Sequence, residues 1–435
     1  MTSLRLTDII ALGFMTFALF IGAGNIIFPP IVAQQAGEHV WLAAAGFLLT
    51  GVGLPLLTII ALSRTQGSLA RLSAPLGKYT SLIFAVICYL AVGPLFATPR
   101  TATVSYEIGI APYFVDAPYG LWFYSSCYFI LVTVISLYPN KLLDTIGYVL
   151  APLKILALIF LGVTALILPA TSTAPPVGKY IEQPFSQGFV SGYLTMDTLA
   201  ALVFGIVIIQ AITSRGVSDK SLITRYAIIA GCIAGVGLTF VYVSLFKLGL
   251  SSHTIIPNAE NGAVILHAYV AHAYGDIGAI FLTLLICITC MVTAIGLTCA
   301  CAEYFHRITR ISYKLLVLVL SGSAFLVSNL GLTKLIAVSQ PVLTTIYPPA
   351  IIVIILSFFT PYMQHPQRIV APVAAVAAFF GILDALQTSS IQQQNWILLM
   401  QNIPLSEHGL AWVLPCLIVF GVLILFERKS IKNKS

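Results

Sequence analysis

The chain reads as an all-α membrane protein of twelve transmembrane helices, two of them discontinuous. Three observations predict this. Hydrophobic residues make up 59% and charged residues 8% of the 435, whereas a globular domain carries about a quarter charged. Apolar runs recur at close to the roughly 20 residues that cross a bilayer. Gly and polar residues interrupt two of those runs, at 22–25 and 192–197, where lipid cannot satisfy loosened backbone.

The runs lie at 8–30, 40–63, 78–99, 118–138, 145–169, 189–213, 222–248, 277–303, 312–330, 334–357, 368–384 and 408–427, with no soluble domain between them. The longest intervals, 170–188 and 249–276, hold Pro, Ser and Asn with isolated His and Glu, and read as connectors. The first run has one Arg before it, exceeds the apolar core of a signal peptide and is interrupted, so it reads as a spanning helix.

A formal charge of +7 would suit an acidic partner such as nucleic acid, but its distribution reports topology. With the N-terminus inside, Lys179, Lys247 and Lys334 fall in outer loops, and Arg100 and Lys154 lie within or at the ends of runs. The other sixteen of the 21 basic residues face the cytoplasm. That bias puts both termini on the cytoplasmic side, and nucleic acid is set aside as a partner.

The first run enters from the cytoplasm and the sixth from outside. Five runs separate equivalent positions, and an odd number inverts the second unit. Residues 1–169 and 189–357 therefore read as two inverted five-helix units, with two additional helices at 368–427. Interrupted helices at matching places in inverted halves point to a transporter site.

Unwinding at Gly22-Ala23-Gly24-Asn25 would begin a half-helix near Ile26 that ends at Pro29-Pro30. Free N–H groups at its positive end suit a carboxylate, and loosened carbonyls, those of Ile21 and Gly24 among them, suit a cation or an ammonium group. Glycine lets the backbone approach a ligand closely. A Rossmann phosphate loop is excluded, since no strand precedes and no third glycine follows. In the sixth run Gly192-Tyr193-Leu194-Thr195-Met196-Asp197 again mixes Gly and polar residues with membrane depth. Asp197 falls about 12 Å below the outer surface, where an ionisable group either serves function or caps a broken helix.

Lys154 lies about 14 Å into the fifth run, too deep to snorkel. It reads as a proton-exchange group, a fixed stand-in for a metal cation, or a structural lysine on helix carbonyls. Thr289 and Thr293 stand one turn apart in the eighth run. Their oxygens suit a hard monovalent cation, with bonding to their own helix as the alternative. Arg100 and Glu107 read as interfacial anchors at the outer end of the third run, with a gate pair as the alternative. Cys287/Cys290 and Cys299/Cys301 share one apolar run and read as packing residues. The His residues are scattered, so no transition-metal site is expected.

Phe17–Pro30 (FALFIGAGNIIFPP), Tyr89–Val104 (YLAVGPLFATPRTATV), Gly192–Asp197 (GYLTMD), Thr293–Tyr304 (TAIGLTCACAEY) and Ser328–Leu332 (SNLGL) follow in an order that resembles the branched-chain amino acid:cation symporter family from end to end. The resemblance implies a secondary transporter of a bacterial inner (cytoplasmic) membrane that imports leucine, isoleucine and valine with a cation, generally Na+, and needs no organic cofactor. It implies a LeuT-like 5+5 inverted repeat with discontinuous helices 1 and 6. By the same likeness Gly22–Asn25 and Gly192–Asp197 flank the amino acid, and Thr293 serves a sodium site against the first break. Many proteins of the wider superfamily pair two hydroxyl residues there, whereas Val292 neighbours Thr293 here. Lys154 is similar to the lysine that replaces that sodium in proton-coupled carriers, so Na+ and H+ both remain open as coupling ions. An embedded enzyme is not expected: Lys154 and Asp197 alone do not make a hydrolytic or metal centre.

Overall fold

The computed structural model describes residues 4–113, 119–138, 151–167, 174–388 and 403–432. Among them the regular structure is entirely helical. A helical stretch occupies each predicted run, and four of the runs are interrupted or locally rewound.

The first run is α1 (Leu6–Phe20) and α2 (Ala23–Ala36). The second is α3 (Val40–Leu48) and α4 (Leu54–Arg64), joined through a π-turn at Leu49–Gly53. A short α5 (Leu69–Leu72) precedes the third run, α6 (Lys78–Leu90) and α7 (Ala97–Gly109). Then follow α8 (Gly120–Ser136), α9 (Ala151–Ile167), the bent pair α10 (Pro184–Tyr193) and α11 (Asp197–Thr213), and α12 (Lys220–Ser251). The chain continues through α13 (Gly262–Thr309), α14 (Tyr313–Ser328), α15 (Leu332–Ser357), α16 (Pro366–Thr388) and α17 (Val413–Lys432). Six helical stretches among the described residues are long and apolar enough to cross a membrane, or seven if α10 and α11 form one span bent by 40°. Shorter apolar helices complete the set.

Three boundaries differ from the sequence reading. Pro29 and Pro30 lie inside α2, which continues to Ala36. Their missing N–H groups leave the Asn25 and Ile26 carbonyls without the usual helical donor but do not end the helix. The interval 249–276 is no simple connector: Gly262–Tyr274 is helical, and Gly275 at φ 64°, ψ −161° separates it from the membrane-length part of α13. Asn261 makes that start possible, its Oδ1 accepting the Ala263 and Val264 N–H groups at 2.9 and 3.2 Å. The sixth run begins five residues earlier, at Pro184.

Among the described residues the core has two large apolar clusters and a small third one that joins α7, α8, α13 and α14. One large cluster joins α1, α2, α3, α12 and the first part of α13. The other joins α4, α6, α11, α15 and α16. Leu19 and Leu194, each beside a helix interruption, pack against both. The two interruptions thus meet where the core divides.

Candidate functional site at the crossed helix breaks

The first link is Ile21-Gly22, both extended. It is shorter than the stretch 22–25 expected from sequence, and α2 begins at Ala23 rather than near Ile26. Asn25 accounts for the difference. Its Oδ1 accepts the Gly22 N–H at 2.8 Å, a local side-chain bond that closes the first turn. Ala23, Gly24 and Asn25 therefore present first-turn amides instead of unwound chain.

The second link is Leu194–Met196. Met196 sits at φ 63°, ψ 15°, a left-handed conformation that a non-glycine residue keeps only where its surroundings fix it. Asp197 is the first residue of α11, at the positive end of that helix.

One polar junction ties the links together. Asn25 Nδ2 lies 2.8 Å from each Asp197 carboxylate oxygen and 2.5 Å from Tyr242 Oη. The Tyr242 hydroxyl, from α12, donates to Asp197 Oδ2 at 2.5 Å. Asn25 and Asp197 are each 1% exposed and Tyr242 is 0%. Side-chain donors, not backbone amides alone, satisfy the carboxylate. Tyr242 carries no sequence signal, since a tyrosine in an apolar run is unremarkable.

Beside the junction is a cavity of about 30 Å³, lined by Gly22, Ala23, Gly24, Asn25, Thr195 and Asp197 together with Arg100 and Thr293. That is room for a water molecule or two and not for an amino acid. A Cβ at Gly24 would fall 3.2 Å from the Thr195 Cα and carbonyl oxygen and 3.4 Å from Arg100 Nη1. Here glycine permits a close approach that any larger side chain would have to push apart.

Arg100 is not an interfacial anchor. It is 2% exposed. Nη1 donates to the Leu194 carbonyl at 2.5 Å, Nη2 donates to Ser339 Oγ on α15 at 3.0 Å, and the guanidinium lies 5.0 Å from the centre of the Phe28 ring. Gly93 (φ −82°, ψ −116°) and Pro94 break the third run, and the helix restarts at Ala97. That break carries position 100 into the bundle. Glu107 lies beside Asn261 and makes no ion pair with Arg100. Among the described residues the one ion pair is Arg307–Glu303.

Thr293 Oγ1 donates to the Thr289 carbonyl at 3.1 Å and reaches the Ile21 carbonyl at 3.4 Å. A Cβ at Gly22 would stand 3.4 Å from Thr293 Cγ2. Thr289 Oγ1 is buried without a hydrogen-bond partner. Gly192 and Tyr193 lie outside the cavity lining. A Cβ at Gly192 would come 1.9 Å from Thr50 Oγ1, and Tyr193 stacks on Tyr347 with ring centres 4.3 Å apart. Leu194 contributes its carbonyl through Arg100. Lys154 belongs to α9, and its side chain lies outside the described residues. Of the cysteines, Cys301 Sγ donates to the Tyr89 carbonyl at 3.3 Å and stands where a Cβ at Gly93 would come within 2.6 Å.

The family described as branched-chain amino acid transport protein matches residues 5–430. A Pseudomonas aeruginosa protein, the branched-chain amino acid transport system 3 carrier protein, is 57% identical over 430 residues, 98% of each chain. The branched-chain amino acid permease BrnQ of Escherichia coli is 53% identical, covering 98% of this chain and 97% of that one. Among solved structures, Mhp1, a nucleobase-cation-symport-1 family transporter, superposes with a TM-score of 0.60 at 13% identity, covering 96% of this chain and 93% of its own. MhsT in complex with L-phenylalanine superposes with a TM-score of 0.55 at 16% identity, covering 95% and 98%. Both have the LeuT fold, and the likeness is one of fold alone.

Proposed function

This chain belongs to the branched-chain amino acid transport protein family, and from that membership we propose that it imports leucine, isoleucine and valine by symport with a cation, Na+ in the first instance. It is a transporter and not an enzyme: the curated relatives are named carrier proteins and permeases. The reading takes twelve spans in a bacterial inner membrane with both termini cytoplasmic, arranged as inverted five-helix units 1–169 and 189–357 plus two helices at 368–427.

One observation carries the site assignment. Two helices interrupted within the apolar core face each other across Asn25 and Asp197. The substrate carboxylate docks at the first-turn amides of Ala23–Asn25, where the positive helix end favours an anion. Its ammonium docks among the carbonyls of the 192–197 link, near Asp197. Lining residues such as Phe204, Leu297 and Val92 give the side chain an apolar wall. Such a wall separates ligands differing by a methylene by only about 1–3 kcal/mol, so the three substrates compete. The cation sits between the first link and α13. The Ile21 carbonyl, the Thr293 hydroxyl and the unpartnered Thr289 hydroxyl support it there. A cavity of about 30 Å³ must widen to admit an amino acid, which alternating access supplies.

The second reading is proton coupling through Lys154, favoured by Val292 standing beside Thr293 in place of a second hydroxyl. Purified protein in liposomes tests both. Labelled leucine should exchange for unlabelled isoleucine, and uptake should need an inward sodium gradient and persist in part in Lys154→Ala. Uptake that ignores sodium, follows a pH gradient and vanishes in Lys154→Ala establishes the proton reading. Absence of counterflow sinks both.

A further inference from the structure

We propose that Arg100 is the carboxylate receptor of the transported amino acid, and that it exchanges the Leu194 carbonyl for that carboxylate when substrate enters. The proposal rests on the transport reading and names a residue that reading does not use.

A buried guanidinium without an anion is an expensive arrangement in a bilayer. Arg100 is among the largest fully buried side chains, yet its polar partners among the described residues are neutral: one carbonyl and one hydroxyl. Nε is buried with no partner at all. Asp197 lines the same cavity, but its oxygens are engaged by Asn25 and Tyr242 and make no ion pair with the arginine. The cavity thus has a cation on one wall and a separately held carboxylate on another, the charge pattern that complements a zwitterion.

The geometry puts the guanidinium and the α2 amides at one corner. A Cβ at Gly24 would lie 3.4 Å from Arg100 Nη1, so a carboxylate over the α2 N-terminus is within reach of both donors. A planar fork and a helix end then share the two oxygens. The bond Arg100 gives up is the one to Leu194, in the second link. Its release leaves a carbonyl of the sixth run free for the incoming ammonium. Each end of the substrate therefore replaces one half of an existing hydrogen bond, and substrate entry loosens the bent pair α10–α11 from α7. Ser339 keeps its contact and holds the arginine to α15.

The test compares leucine with leucinamide, which has the same side chain and ammonium but no carboxylate. Affinities are read from ligand-induced thermal stabilisation of the purified full-length protein in sodium. Wild type should bind leucinamide roughly 30- to 100-fold more weakly than leucine, the range for charge-assisted hydrogen bonds. Arg100→Gln should weaken leucine by a similar factor and leave leucinamide within about threefold of its wild-type value, a difference under 1 kcal/mol. Arg100→Lys, which keeps the charge and loses the fork, should fall between them and serves if the glutamine variant does not fold. The proposal is overturned if wild type takes both ligands alike, or if the variants weaken both ligands equally. A wild type that ignores leucine altogether refutes the transport reading itself.

Discussion

Asn25 places three polar groups at one junction, and its replacement exposes how much depends on them. In Asn25→Ala the Gly22 amide loses its partner and the Asp197 carboxylate keeps only the Tyr242 hydroxyl. Each buried group left unsatisfied costs about 1–3 kcal/mol, more for a charge. We expect a clearly lowered melting temperature in detergent and leucine counterflow at background. A variant that melts like wild type would falsify the idea that this junction holds the breaks together. Gly24→Leu makes a complementary prediction. The added atoms collide with Thr195 and Arg100, so a folded, inserted protein should bind no leucine, and retained binding would move the site elsewhere. Sequence alone marked Asn25 and Asp197 as polar groups at membrane depth. It could not pair them, because they stand 172 positions apart. Arg100 was misplaced for a different reason: an apolar count ends the third run at 99, and only the Gly93-Pro94 break shows that the helix restarts beyond it.

At the scale of elements, α10 is seated on α3 by small residues. A Cβ at Gly188 would come 1.9 Å from the Ala43 carbonyl oxygen, and one at Gly46 would come 2.0 Å from that of Phe185. Gly188 and Gly192 form the small-xxx-small spacing that lets two backbones touch in a membrane. Gly188→Leu should therefore lose most of the monodisperse protein on size exclusion, with the α10 half of the bent pair forced away. Gly322 in α14 has nothing within 4 Å of its Cβ position, and Gly322→Ala should leave transport intact and stabilise by about 0.4–1 kcal/mol. If the two glycines behave alike, seating on α3 is not what the first one provides. The positions of the long apolar helices were legible from apolar run length, but the helix at Gly262–Tyr274 was not. Its histidines and tyrosines break the apolar pattern, and its capping Asn261 looks like any loop asparagine.

For the whole molecule, the proposed symport would put cation and substrate on the two sides of the Thr293–Ile21 contact beside the small cavity, so their binding is expected to be coupled. Leucine at 100 times its Kd should add about 2.7 kcal/mol to stability, visible as a raised melting temperature in sodium. In choline at the same ionic strength the shift should be much smaller. Equal shifts in both salts would mean that the two ligands act independently. The partners of Arg100 carry a further consequence. Leu194 is 94 positions later in the chain and Ser339 is 239. During synthesis the amino-terminal half must therefore enter the bilayer with a guanidinium whose hydrogen-bond acceptors are not yet made, leaving it only the face of the Phe28 ring. A nascent chain arrested before the sixth helix should stay in the hands of the insertion machinery or be degraded, and release into lipid becomes favourable only as the carboxy-terminal half arrives.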